Sequence, residues 1–510
     1  MTKMNHRRNK RVGAITAVVA LALGAGLPAN ADNGTDTEKL REAVTADGIY
    51  NHLEQLQKIA NDNGGNRAGA TEGYEAGAEY IESELEDAGY DPVRQYFDYQ
   101  QFIEHTPSEL AQVSPTEKTY VNGTDFTTME YSGAGDVTAA VTAVDVNFAD
   151  PAASTSGCEA ADFEGFTPGN IALIQRGTCT FGVKAQLAAN AEASAVIIFN
   201  QGNGDDRSGL LNGTLGEAVA IPTVGTTFAV GQDLAKDPAT TASVTVDAEV
   251  KDSTTFNILA DTDGRADRTV VVGAHLDSVA EGPGINDNGS GSAAILETAI
   301  QMAEMYKDED GPRNRVRFAF WGAEESGLVG STYYVSQLSK EEIKQHALNL
   351  NFDMVGSTNF VRFVYDGDGD AFGQVGPNGS AHIEHVFNDY FTSQGLASAP
   401  TAFDGRSDYA AFIANGIPAG GLFTGAEGEK TAKEAEKFGG MEGEAYDPCY
   451  HQACDDIENV SMTALDEMSD AIAHTTLTFA ETTSAVNGTA KGGSNTGTAD
   501  MKFKGNAAQK

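Results

Sequence analysis

Five places along this 510-residue chain set a carboxylate or an imidazole directly after an apolar run or inside a short loop. They are His275 with Asp277, Asp287, the adjacent pair Glu324 and Glu325, Asp353, and His451 between two cysteines. Taken singly, each has a commoner role: most acids are solvated, and a histidine after a strand more often caps or packs. Together they form a mixed imidazole and carboxylate donor set of the kind that suits zinc. A carboxylate shared between two ions would hold them ~3.5–4 Å apart. Neighbouring glutamates aim in different directions, so one can hold a metal while the other moves protons.

The elements that must position these groups are legible in the pattern. RVRFAFW, from Arg315, alternates and then turns fully apolar; it breaks at Gly322 and delivers Glu324 and Glu325 just before a predicted helix. NILA and RTVVVGAHLDS read as strands, the second buried on both faces. EGPGINDNGSGSAAILETAIQMAEMY is a glycine-rich loop entering a helix, and Ala347 to Phe352 is a strand ending on Asp353. A last strand runs from Ile417 to Phe423. In open α/β sheets, ligands sit beyond the carboxyl ends of the strands, where these acids fall. Helices are predicted from Thr37 to Asn63, Thr71 to Ala88, His382 to Gln394 and Met462 to Phe479, with a strand from Val93 to Tyr99.

Length favours two domains plus processed ends. Residues 1–31 combine Lys3, Arg7, Arg8, Lys10 and Arg11 with an apolar run and an Ala-Asn-Ala site, the pattern of a secretory signal peptide. The expectation is therefore a secreted, extracellular protein. The net charge of −41 argues against nucleic acid and anionic membranes as partners, and a monomer is the default. Four cysteines in an exported chain allow three pairings. Local pairing, Cys158 with Cys179 and Cys449 with Cys454, is favoured over a zinc site, whose spacing they do not match.

Composition changes over 111–250 to short β-branched runs with glycines and one helix at Phe181 to Glu192, a small β-rich insert. Its segment GNIALIQRGTCTFGVKAQLAANAEASAVIIFNQ, followed by AIPTVGTT, resembles the protease-associated domain. The insert lacks a metal-ligand cluster, so it is expected to shape access or substrate choice. Residues 482–510 are Ser/Thr/Gly/Asn-rich and read as disordered or processed.

The ordered motifs GAHLDS, GINDNGSG, FWGAEESGLVGS, NFDMVGS and CYHQACD resemble the di-zinc aminopeptidases of metallopeptidase family 28. RSDYAAFIANGIPAGGLFTGAEG is similar to their secreted bacterial, leucine-preferring members. The resemblance implies a mixed, mostly parallel α/β sheet flanked by helices, split between 32–110 and 251–481. It implies His275 and Asp353 on one zinc, Glu325 and His451 on the other, and Asp287 bridging. Glu324 would be the general base and acid, Asp277 the acid that orients a metal-bound imidazole, and Tyr450 the oxyanion donor. Glu324, Asp353 and the backbone carbonyl of Arg406 would hold the substrate's amino terminus. The Cys449–Cys454 pairing also fits, and calcium is a further cofactor for which the sequence does not select ligands. A glutaminyl cyclase, a glutamate carboxypeptidase-like enzyme and a non-enzymatic receptor-type relative are the rival readings.

Overall fold

The computed structural model describes residues 34–204 and 207–487. The predicted leader and most of the tail lie outside them. The first predicted helix is two, Glu38–Ala43 and Ala46–Asp62, because the Thr45 side chain accepts from Gly48 N and starts a new helix. Glu72–Ala88 follows, capped by Thr71 and ended by Gly89 at φ 100°.

The centre is a sheet whose strands run Ala399–Thr401, Phe363–Tyr365, Ala419–Phe423, His346–Phe352, Arg265–His275, Asn314–Trp321 and Thr241–Asp261 in spatial order. From Ala419–Phe423 to Asn314–Trp321 the pairing is parallel; Thr241–Asp261 then adds antiparallel. The alternation of side chains explains the apolar runs. Phe318 and Phe320 enter one core with Val270 and Val272, while Ala319 and Trp321 enter another with Val271, so both faces are covered. Each buried valine or phenylalanine among them, removed from water, stabilises the fold by roughly 1.5–3 kcal/mol. The first core is closed by the three N-terminal helices, by Gly291–Tyr306 and by Met462–Glu481. A short turn of helix, Ser484–Asn487, continues the fold past the point where the tail was expected to begin, and Val486 is buried.

Parallel register brings the loops together. His275 pairs with Trp321 and Gly273 with Asn351, so the chain leaves all three strands at the same edge.

The strand predicted to end at Tyr99 runs on to Ser114 and pairs with Thr241–Asp261 along its length. This two-stranded ribbon leads into the insert, whose sheet continues through Gly135–Val144, Ile171–Gln175, Ala195–Phe199, Thr223–Thr226 and Phe126–Thr128. Two helices, Phe181–Asn190 and Phe228–Ala235, cover it; the sequence pattern foretold only the first. Both disulfides join local partners, Cys158 to Cys179 and Cys449 to Cys454. Among the described residues no helix is long and apolar enough to cross a membrane.

Candidate active site and metal centre

Each candidate side chain is held by backbone geometry that the local sequence builds. Glu324 follows Ala323, whose φ is 55°; Met354 follows Asp353 at 54°; His451 itself stands at 57°. Left-handed backbone at non-glycine residues costs energy and clusters at functional sites. Gly322 is required by close approach, since a Cβ there would lie 2.4 Å from the Tyr74 hydroxyl and 2.5 Å from the Phe256 carbonyl. The Asn257 side chain accepts from Gly322 N and donates to Gly330 O, fixing both ends of the glutamate loop.

The glycine-rich segment is knitted to the Asp353 loop by its own side chains. Asn288 donates to Phe352 O and accepts from Met354 N, and Asn286 accepts from Gly356 N. Asp455, just beyond the Cys449–Cys454 loop, accepts from the backbone N–H of Asn286 and of Asp287 at 2.9 and 3.0 Å. From behind, the fully buried Arg67 guanidinium donates to the carbonyls of Leu276, Pro283 and Gly284 and ties the His275 loop to the Asp287 loop.

Five side chains converge. His275 Nε2 is 3.3 Å from Asp353 Oδ1 and 3.3 Å from Asp287 Oδ1. His451 Nε2 is 3.2 Å from Asp287 Oδ2 and 3.1 Å from Glu325 Oε2. Asp287 thus presents one oxygen to each histidine, the arrangement of a bridging carboxylate. Donor atoms on a tetrahedron of ~2.0 Å bonds are about 3.3 Å apart, so these separations match the edges of two zinc coordination shells. The three-residue clusters His275, Glu324, Asp353 and His275, Asp287, Glu325 each bring one donor atom apiece within 4.8 Å. Glu324 is fully buried, and neither of its carboxylate oxygens receives a hydrogen bond from the protein. Buried carboxylates without donors are costly, and cations offset that cost. The residues therefore fit two metal ions.

Electrostatics points the same way. Burial pushes the Glu324 carboxyl well above its ordinary range, with further upward pushes from Glu325 and Asp408. Burial pulls the His275 and His451 imidazoles down, but the facing carboxylates outweigh it and hold both well above the usual value. Burial keeps the Tyr450 phenol protonated far into alkaline pH, as a hydrogen-bond donor must be. Its ring stacks on His451 at 3.9 Å between centroids, and Arg406 reaches its oxygen at 3.4 Å while pairing with Glu427.

Asp277 lies beside His275, as an acid that orients the imidazole would, and reaches a second loop as well. His275 Nδ1 bonds to the Asp277 backbone carbonyl at 3.0 Å; its distance to the carboxylate is 3.7 Å, too long for a hydrogen bond. The carboxylate instead accepts the backbone N–H of Glu324 at 3.1 Å and of Glu325 at 3.2 Å.

Several contributors carried no sequence signal of their own. Arg67 stands in a polar connection between helices. Ser407, which donates to Asp353 Oδ2 at 2.6 Å, and Asp408, whose carboxyl burial pushes up to about 7, lie in the quoted RSDY motif without an assigned role. A separate acidic cluster, Asp366, Asp368 and Asp370, has its buried member committed to the backbone N–H groups of Gly369, Ala371 and Phe372.

Comparison with known proteins identifies the family. Residues 257–476 match the model of peptidase family M28, and residues 137–234 match that of the PA domain. An aminopeptidase of Pseudomonas aeruginosa is 50% identical over 440 residues, covering 86% of this chain and 81% of that one. A probable leucine aminopeptidase 2 of Aspergillus oryzae is 42% identical over 416 residues, covering 80% and 78%. Among solved structures, an aminopeptidase from Aneurinibacillus sp. strain AM-1 superposes with a TM-score of 0.67 at 28% identity, covering 86% of this chain and 95% of that one. A zinc aminopeptidase from Bacillus subtilis superposes at 0.61 and 26%, covering 85% and 94%. The mixed, mostly parallel sheet and the inserted domain expected from the sequence are thus both present. The chain belongs to peptidase family M28, with a PA domain inserted into its peptidase unit, and it is a peptide hydrolase of the aminopeptidase class.

Proposed function

We propose that this protein is a secreted, zinc-dependent aminopeptidase that removes a large apolar residue such as leucine from peptide amino termini. The observation that carries the reading is Asp287 presenting one oxygen to His275 and the other to His451, with Asp353 and Glu325 completing the two shells. The similarity to a zinc aminopeptidase supports zinc as the metal. Two zinc ions, when bound there, would lower the pKa of water toward ~7 and polarise the scissile carbonyl.

The chain's own groups supply the rest. Glu324, buried and without protein donors, takes a proton from the attacking water and returns it to the leaving amine, work typically worth ~10²–10⁴-fold. Tyr450 donates a hydrogen bond from its phenol to the developing oxyanion and keeps its proton. The substrate's ammonium is held by Glu324, Asp353 and the Arg406 carbonyl. Beside Asp353 lies a pocket whose lining mixes Met354, Tyr365, Phe423 and Ala426 with the polar Asp404, Arg406 and Ser407; its apolar members are where a first side chain such as leucine would pack.

The test is zinc content of the purified protein by elemental analysis beside hydrolysis of Leu-p-nitroanilide before and after chelation. Near two zinc per chain and release abolished by chelator is the expected result. Turnover that survives full metal removal would overturn the reading.

A further inference from the structure

The turn that carries Glu324 and Glu325 is braced from three sides, and one brace comes from the insert. At its start Ala323 packs against Phe97 and Tyr99 of the ribbon. Behind it, Asp277 accepts the N–H groups of both glutamates. At its far end the Tyr131 hydroxyl donates to the carbonyl of Ser326, the residue after Glu325, at 3.1 Å. The same hydroxyl lies 3.1 Å from the carbonyl of Gln100 on the ribbon, so one phenol ties insert, ribbon and glutamate turn together. Tyr131 is itself a fixed point. Its φ is 66°, a conformation a bulky aromatic adopts at a cost and one that surrounding contacts must hold. Those contacts form a ladder to a single segment of the insert. Glu130 N–H donates to Gly213 O, Leu215 N–H to Glu130 O, Val219 N–H to Tyr131 O, and Gly133 N–H to Ile221 O. The Tyr131 side chain is buried, where a hydrogen bond is electrostatically stronger than in water.

The two glutamates do not depend equally on this brace. Glu325 Oε2 meets His451 Nε2 at 3.1 Å, a side-chain anchor of its own. Neither carboxylate oxygen of Glu324 receives a hydrogen bond from the protein, so its backbone sets where it points. That backbone is closed into the turn: the Glu324 carbonyl accepts from Gly327 N and Leu328 N, both at 2.7 Å, with Ser326 inside the closure. A bond to Ser326 O therefore acts on the frame that aims Glu324.

We propose that Tyr131, supplied by the insert, is a positioning residue for the general base: its hydroxyl holds the turn at Ser326 and keeps the Glu324 carboxylate aimed at the reacting centre. The inference rests on the aminopeptidase reading and extends it to what the insert does for the hydrolytic step. Small displacements of a catalytic group are expensive in rate, so a residue that never touches substrate can still govern turnover.

The experiment measures kcat for Leu-p-nitroanilide in the full-length protein at saturating zinc, with Tyr131→Phe placed in two backgrounds, wild type and Glu324→Gln. In the wild-type background, losing one hydrogen bond should lower kcat by about three- to tenfold. In the second background the base is already gone, and the same substitution should cost less than about 1.5-fold. A Tyr131→Phe protein that was merely less stable or partly inactive would lose the same factor in both. Tyr120→Phe, which alters a buried tyrosine of the insert whose hydroxyl has no hydrogen-bond partner among the described residues, should leave kcat at the wild-type level. Equal factors in the two backgrounds, an equal loss in Tyr120→Phe, or Tyr131→Phe within about 1.5-fold of an active wild type would each overturn the proposal while leaving leucine release intact. No leucine release by the wild type would instead remove the aminopeptidase reading on which the proposal rests.

Discussion

Asp277→Asn isolates what holds the two catalytic-loop glutamates in place. The wild-type carboxylate is fully buried and divides its oxygens between two backbone N–H groups, those of Glu324 and Glu325. An asparagine keeps the shape but has a single acceptor oxygen, so one of the two N–H groups would face an amide NH₂. A buried donor left unsatisfied costs about 1–3 kcal/mol. The loop can avoid that cost only by shifting, and the shift moves Glu324 from its position. If the cost is expressed in the transition state, at 1.36 kcal/mol per tenfold, kcat falls by about 5- to 150-fold. The assay is Leu-p-nitroanilide hydrolysis at increasing free zinc, with the zinc dissociation constant measured separately. Glutamate positioning predicts a kcat deficit that persists at saturating zinc. Had the acid served only to orient His275, the deficit would be a weakened zinc affinity that added metal repairs. Full recovery of kcat at saturating zinc would therefore refute the argument, as would a variant within twofold of wild type in both quantities.

Other substitutions probe the remaining parts. Glu324→Gln should retain both zinc ions by elemental analysis and lose ~10²–10⁴-fold in kcat, since all five proposed ligands are untouched. Replacing Cys449 and Cys454 together by serine should lower thermal stability by about 2 kcal/mol, the loop-closure value for so short a loop, and weaken zinc binding at His451; calorimetry and metal titration check the two effects. Burial lowers the His346 imidazole from 6.5 to about 4, and its neutral form accepts from the Tyr334 hydroxyl while donating to Glu342 O. A histidine depressed in the folded state contributes stability that is full above pH 6.5 and is lost as pH falls toward 4. At about 1.4 kcal/mol per unit this amounts to about 3 kcal/mol. Urea unfolding of wild type and His346→Gln at pH 7 and pH 4 should show that the variant lacks this share of the acid sensitivity.

The strands and their loops were readable because His275, Asp353 and the glutamate pair lie just past apolar runs, where position in sequence and position in the sheet coincide. His275, Asp353 and the glutamate pair needed no long-range knowledge beyond the rule that parallel strands leave their ligands at one edge. The further contacts of Asp277 were not legible, because only the fold brings the backbone of the Glu324–Glu325 loop against a carboxylate two residues from a histidine. Arg67 was unreadable for a related reason. In NGGNRAG it looks like a solvated connector residue, and its burial becomes apparent only when three carbonyls from two distant loops converge on it. The break at Thr45 was missed because the apolar spacing continues across it, while the cap that causes it is a local hydrogen bond.

The ribbon that carries the insert enters and leaves on neighbouring antiparallel strands, with Gln101 directly opposite Lys251. In genetic terms the insert is a cassette. A two-residue turn joining those positions would close the ribbon as an ordinary hairpin and remove everything between them without parting any strand of the peptidase sheet. What remains would keep all five proposed ligands and Glu324, and would lose Tyr131 with its hydrogen bond to Ser326 O. A single deletion or insertion at one hairpin could thus add or remove the insert's contact with the glutamate loop while the hydrolytic centre is inherited unchanged.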